Sequence, residues 1–159
     1  MARVELRLSP LPAHVRTGRL VGVAAARRAG LDHERVDEMR LALGEACSRA
    51  VSLHASHAPD EPVVVTVEDS SAGLVVRVTD RGPATGDSAD LAADLLNEMP
   101  ADGAEQVAHP GVALAVLRGL VDDLEIEAGP DGTTVTMRWP LELRPGGGTG
   151  PASTAATVD

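Results

Sequence analysis

Glu45 and Arg49 are the first residues in this sequence whose types and spacing could do chemistry. They lie four positions apart in a segment with helical periodicity, on the side opposite its apolar stripe. Spacing alone predicts an exposed ion pair, which stabilises a helix by a few tenths of a kcal/mol. A carboxylate at this position could also serve a binding site.

Asp80 ends an apolar run and is followed by Arg81-Gly82-Pro83. An Asp-x-Gly turn at the end of a strand is ordinary loop chemistry. Its functional interpretation is a carboxylate aimed into a cleft, where Gly82 allows a ligand to approach the backbone closely. Gly111 follows Pro110 at a predicted helix start, where free N–H groups could contact a phosphate.

Cys47, His54 and His57 could be assembled into a metal site. Zinc sites need four ligands with paired spacings, and this set has three. Cys47 and His54 also lie on the apolar stripe of their helix, which favours a small buried thiol and a packed histidine. We therefore predict no metal site, and the single cysteine excludes an internal disulfide.

Hydrophobic periodicity predicts the elements that must position these residues. Alternation predicts a strand over 3–8, strands over 62–68 and 74–80 joined as a hairpin, and strands over 124–128 and 133–141 around a Gly-Pro-Asp-Gly turn. Helical spacing predicts helices over 12–29 and 33–54, a short one near 88–98, and one starting at Pro110 and running to about 123.

This order of elements favours an α/β two-layer sandwich, with a mixed, mostly antiparallel sheet covered on one face by helices. The length fits one domain, predicted over 1–143. Residues 144–159 are rich in Gly, Pro, Ser and Thr, and such a tail is predicted to be disordered.

Composition excludes several classes of function. A net charge of −10 and a single aromatic residue, Trp139, argue against direct nucleic-acid binding, which uses clustered cations and stacking rings. The N-terminus has no long apolar run, so neither a signal peptide nor a membrane span is expected there. The sequence predicts a cytoplasmic protein whose acidic field attracts basic partners.

The order of the motifs is more specific than any one of them. The run LALGEACSRAV over 41–51 and the run VRVTDRGP over 76–83, followed by Gly-x-x-Leu and Gly-Thr-Thr-Val, resemble the Bergerat-fold ATP-binding domain of the gyrase/Hsp90/histidine-kinase superfamily. More narrowly, the chain resembles the small anti-sigma-factor serine kinases of bacterial partner-switching systems. The resemblance covers residues 3–143.

The resemblance assigns roles to the residues introduced above. It implies that Glu45 is the catalytic base or positions water, and that an Asn four residues later chelates the magnesium bridging the ATP phosphates. Here that position is Arg49, which has no acceptor and cannot ligate a metal. Arg49 could instead contact a phosphate, or pair with Glu45 and disable it.

The remaining nucleotide motifs are partly present. The resemblance implies that Asp80 and Gly82 contact adenine, that Gly111 contacts phosphate, and that Thr133 follows the glycine before the last strand. Two glycines of the phosphate side are replaced by Ala84 and Ala113, whose Cβ atoms could crowd a phosphate. We predict that ATP or ADP with Mg²⁺ binds weakly or not at all.

Three functions follow from the resemblance. The first is an anti-sigma factor, implied by the resemblance to be a homodimer, that sequesters a sigma factor and is released by an anti-anti-sigma antagonist. The second is an active ATP-dependent serine kinase that phosphorylates that antagonist. The third is a Bergerat domain that binds another nucleotide or partner. Arg49, Ala84 and Ala113 disfavour the second.

Overall fold

The structure is a computed structural model that describes residues 1–83 and 110–141. These residues contain eight helices and strands. They are β1 (Ala2–Leu8), α1 (Pro12–Ala29), α2 (His33–His57), β2 (Val63–Ser70), β3 (Gly73–Asp80), α3 (Pro110–Leu120), β4 (Asp123–Gly129) and β5 (Gly132–Pro140). The predicted helix near 88–98, Ala84 and the predicted tail lie outside the described residues. In the structure α2 ends three residues later than predicted, and α3 ends about three residues earlier than predicted.

The strands form one sheet in the order β1-β2-β3-β5-β4. All four pairings are antiparallel, so the described sheet is not mixed. The three described helices pack with α2 in the middle, between α1 and α3, and they contact the sheet through α1 and α2. The predicted two-layer α/β sandwich is confirmed.

The core lies between the helices and one face of the sheet. Alternate residues of β2, β3 and β5 point towards the helices and are almost fully buried: Val63, Val65, Val67, Leu74, Val76, Val78, Val135, Met137 and Trp139. The opposite face carries ion pairs such as Arg77–Glu68 and Arg138–Glu125. Trp139 satisfies its indole N–H by donating to Glu38 Oε1 at 2.9 Å.

Local signals in the sequence set the helix ends. Pro12 begins α1 without needing an N–H partner, and Gly30 ends it in the left-handed region at φ 91°. The Asp32 side chain caps α2 by accepting from the Arg35 N–H at 2.9 Å. These caps fix where α2, the helix that carries Glu45 and Arg49, starts relative to the sheet.

The β4–β5 hairpin places Thr133 beside the end of β3. Gly132 opens β5 at φ 132°, and a Cβ built on it would lie 1.9 Å from the Asp80 carbonyl oxygen. Gly129, on the other side of the same turn, has no atom within 4 Å of a Cβ built in the same way. Glycine is therefore required at 132 for both conformation and space, but not at 129.

Among the helices of residues 1–83 and 110–141, none combines the length and hydropathy that a membrane span requires.

We expect Gly132→Ala to lower the free energy of unfolding by about 2–4 kcal/mol, because the methyl group adds backbone strain to a direct overlap. The matched control Gly129→Ala should change it by less than about 0.5 kcal/mol. Urea unfolding followed by circular dichroism measures both. Equal stability of the two variants would contradict the close approach of β5 to the end of β3.

Candidate functional site

A buried ion pair between Arg49 of α2 and Asp80 of β3 is the main feature of the candidate site. Arg49 Nη1 donates to Asp80 Oδ2 at 2.5 Å, and both side chains are about 1% exposed. Asp80 faces the helices because it continues the inward alternation of Leu74, Val76 and Val78 along β3. This ion pair therefore links the central helix, α2, to β3 in the central part of the sheet.

The prediction of an exposed Glu45–Arg49 ion pair, which was based on spacing, is wrong. Arg49 is buried because α2 has neighbours on both sides, α1 and α3, so its buried arc is wider than the single stripe predicted for it. The guanidinium then reaches the sheet and pairs with Asp80 rather than Glu45.

The second oxygen of Asp80 is also engaged. Asp80 Oδ1 accepts from the Gly82 N–H at 3.0 Å, which closes the turn after β3. A Cβ on Gly82 would lie 2.9 Å from Leu53 Cβ, so the turn packs directly against α2. The predicted Asp80–Gly82 arrangement is thus present, but its carboxylate is satisfied from within the protein.

Thr133, predicted to belong to the same site, is the register partner of Asp80 across β3 and β5. Its Oγ1 is buried and has no hydrogen-bond partner within residues 1–83 and 110–141, and the same holds for Nε and Nη2 of Arg49. Two of these atoms belong to the guanidinium that pairs with Asp80, and the third belongs to the register partner of Asp80. Such groups lose their hydration without compensation, so the cluster is held at a cost to stability.

Glu45 lies apart from this cluster, on the half-buried side of α2. It lines a cavity of about 510 Å³ together with Ser48, Ser52 and the buried Ala113 of α3. Arg49 lines the same cavity, while Gly111 is the second residue of α3. The structure thus brings Glu45 and Arg49 to one cavity and joins Arg49, Asp80, Gly82 and Thr133 in the layer beneath it.

The residues present do not fit ATP with magnesium. Arg49 puts a permanent cation where the resemblance implies a metal ligand, and that cation occupies the carboxylate implied for adenine. Among the described residues that line the cavity, Glu45 is the only carboxylate, and one carboxylate is a poor magnesium site without phosphate contacts.

His54 is a packed histidine with both ring nitrogens satisfied. Its Nε2 accepts from the Arg81 N–H at 2.7 Å, and Nδ1 donates to the Glu61 carbonyl at 2.8 Å. His57 Nδ1 contacts the Leu53 carbonyl at 3.1 Å. His54 therefore holds the segment that follows Asp80, a role that its place on the apolar stripe indicated only in part.

Cys47 is fully buried on the same helix. Burial raises the pKa of its thiol to about 12, a shift that the charge of Arg19 only partly offsets. A thiol that stays protonated and out of contact with solvent is neither a nucleophile nor a metal ligand. Within residues 1–83 and 110–141, no three His, Cys, Asp or Glu side chains come together in a way that could hold a metal ion.

Sequence reasoning missed the Arg49–Asp80 pair although one signal for it was present. The alternation of β3 places Asp80 on the buried face, and a buried carboxylate needs a cation or several donors. What the sequence does not show is which cation reaches it, since that depends on how α2 lies over β3.

Comparison with known proteins gives matches over most of the chain. The family model of the histidine kinase-like ATPase domain matches residues 8–139. The chain is 29% identical to the serine-protein kinase RsbW of Bacillus pumilus over 84% of its own length and 83% of the relative's. It is 28% identical to the RsbW of Listeria innocua, with 85% of each chain covered, and 26% identical to that of Bacillus subtilis, with 84% and 82% covered.

A solved structure has the same fold. The crystal structure of the RsbU and RsbW domains of Rv1364c from Mycobacterium tuberculosis superposes with a TM-score of 0.60 at 20% sequence identity. The match covers 87% of this chain but only 32% of that longer one. The fold predicted from the resemblance is thereby supported by an independent structure.

We expect Arg49→Met to lower the free energy of unfolding by about 3–5 kcal/mol, because it leaves the Asp80 carboxylate buried without its cation. The double variant Arg49→Met/Asp80→Asn should recover most of that loss, since no buried charge remains and the amide can still accept from Gly82. Urea unfolding of the wild type, both single variants and the double variant gives the coupling energy. Additive effects would contradict a direct buried pair.

Proposed function

Since the chain belongs to the family of histidine kinase-like ATPase domains, we propose that it is an anti-sigma factor that works without nucleotide turnover. It sequesters an alternative sigma factor and is released when an anti-anti-sigma antagonist protein competes for it. Two relatives that match over 83–85% of both chains are serine-protein kinases RsbW, and this supports the partner class. The proposal includes a cytoplasmic homodimer, as the resemblance implies.

The observation that carries the proposal is the Arg49–Asp80 ion pair. Phosphoryl transfer depends on a metal and on electrostatic clamps around the phosphates. In this chain the implied metal-ligand position is a cation, and that cation is bound to the carboxylate implied for adenine. A domain of this fold that does not turn over nucleotide can still bind proteins.

Glu45 is the observation that keeps the serine-kinase alternative testable. Its carboxylate is half-buried in the 510 Å³ cavity, so a base that could serve a hydroxyl group is still present. A base alone does not orient or neutralise a triphosphate. Kinase activity would therefore require a nucleotide held in some way that does not use Asp80 and Arg49.

We expect calorimetry with ATP or ADP to show no binding tighter than about 1 mM, with or without magnesium. Arg49→Asn frees Asp80 and restores an oxygen ligand, so it should increase nucleotide affinity at least about tenfold in the presence of magnesium. Arg49→Gln is the matched control, since it also frees Asp80 but is one methylene longer than the implied ligand. A micromolar dissociation constant for the unmodified chain that is lost on chelating magnesium would contradict the prediction.

We also expect the purified chain to retain a sigma factor from the cytoplasm of its source cells, equally well with and without ATP. Glu45→Ala should retain as much as the wild type, because this carboxylate lines the cavity and is not needed for the contact. Retention should fall as salt rises, since the chain carries a net charge of −10 and the sigma factor's DNA-binding regions are basic.

Two results of the same experiment would contradict the proposal. If no sigma factor is retained at low salt, the anti-sigma function is wrong. If the unmodified chain transfers labelled phosphate from ATP to a serine of a retained antagonist, the kinase alternative holds instead.

A further inference from the structure

A groove along the outer faces of α1 and α2 combines cations with exposed leucines. It has a volume of about 500 Å³ and is lined by Arg16, Arg19, Arg27, Leu20, Val23 and Leu41, and we refer to these residues as the arginine groove. Leu20 is 61% and Leu41 54% exposed, and with Val23 they form an apolar patch within the groove.

The charge of the arginine groove is opposite to that of the whole chain. The side chains of Arg16, Arg19 and Arg27 form no ion pair or hydrogen bond with any residue of 1–83 or 110–141. Arg40 also lines the groove, and its side chain pairs with Asp37 at 3.2 Å. None of the described residues that line the groove is acidic, although the chain as a whole carries a net charge of −10.

The groove is preformed because α1 and α2 pack closely. A Cβ on Gly22 would lie 2.4 Å from Leu43 Cδ2, so the helices meet where α1 has no side chain. Two helices in such contact leave a shallow channel between their outer faces, and a third helix can lie in it with its apolar side down. The exposed leucines supply the apolar floor, and the arginines flank it.

We propose that the arginine groove docks an amphipathic helix of a protein partner, whose contact face carries leucine-type side chains flanked by Asp or Glu. Arginine pairs with carboxylates through two parallel N–H donors, which fixes the register of such a helix. Nucleic acid fits the same cations less well, because its phosphates would meet the acidic field of the chain and exposed leucines give them nothing to bind. This inference goes beyond the proposed function and stands on the side chains alone.

The groove continues into the cavity that contains Glu45, because Arg19 and Leu41 line both. The Glu45 carboxylate repels acidic side chains at that end. The acidic residues of a docked helix should therefore lie towards Arg16 and Arg27, and its end near Glu45 should be neutral or basic.

The test uses the full chain and a fluorescein-labelled helical peptide of about 16 residues, with Leu on one face and Glu beside it. A second peptide has Lys in place of Glu and the same leucines, and a labelled single-stranded oligonucleotide is the third probe. Binding is measured by fluorescence anisotropy at about 50 mM and about 500 mM salt.

The variant Arg16→Ala/Arg27→Ala removes two cations from the groove. Its matched control is Arg3→Ala/Arg7→Ala, on the open face of the sheet, where both side chains are more than half exposed.

The Glu peptide should bind at low salt, and Arg16→Ala/Arg27→Ala should weaken it about tenfold while the control pair changes it less than about twofold. Leu20→Ala/Leu41→Ala should weaken it as well, whereas Leu11→Ala, another exposed leucine outside the groove, should not. The proposal is overturned if the Lys peptide or the oligonucleotide binds as tightly. It is also overturned if both arginine pairs matter equally, or if no peptide binds at low salt. Loss of sigma-factor retention in the experiment above would leave this result unaffected.

Discussion

The buried ion pair between Arg49 and Asp80 constrains the rest of this structure. A guanidinium and a carboxylate that are both 1% exposed have lost nearly all their hydration, and their 2.5 Å contact must compensate for that loss. The geometry is maintained from both sides: Gly82 donates to the other carboxylate oxygen, and the cap at Asp32 fixes the start of α2. Any displacement of α2 along β3 would separate two charges inside the core.

The Arg49–Asp80 pair also explains how this fold can be present without the nucleotide chemistry. The chain has the fold of a solved relative, and the match to the histidine kinase-like ATPase domain extends over residues 8–139. A single long cationic side chain at position 49 nevertheless occupies the Asp80 carboxylate, to which the resemblance assigns the contact with adenine. Backbone architecture tolerates this exchange because the charge is neutralised internally.

Most of the fold could be predicted from the sequence, because each element carries its own local signal. Alternation gave every described strand to within about two residues, and the capping residues Asp32 and Gly30 marked where helices meet loops. The candidate site could be predicted only in part. Residue types identified Asp80 and Gly82, but the position of Arg49 depends on α3 covering α2, and that contact leaves no trace in local spacing. A wider buried arc on a central helix is a tertiary effect.

The net charge can be read directly from the sequence, but the structure decides how the charged side chains are distributed over the surface. The value of −10 governs long-range attraction, which falls off over about 10 Å at moderate salt. Docking is decided at shorter range, where the arrangement of individual side chains matters more than their sum. Arg16, Arg19 and Arg27 lie on a helix surface with no carboxylate among the described lining residues, while other arginines such as Arg28, Arg77 and Arg138 are neutralised in ion pairs. An acidic chain can thus present a basic surface, and the sign of a partner has to be argued surface by surface.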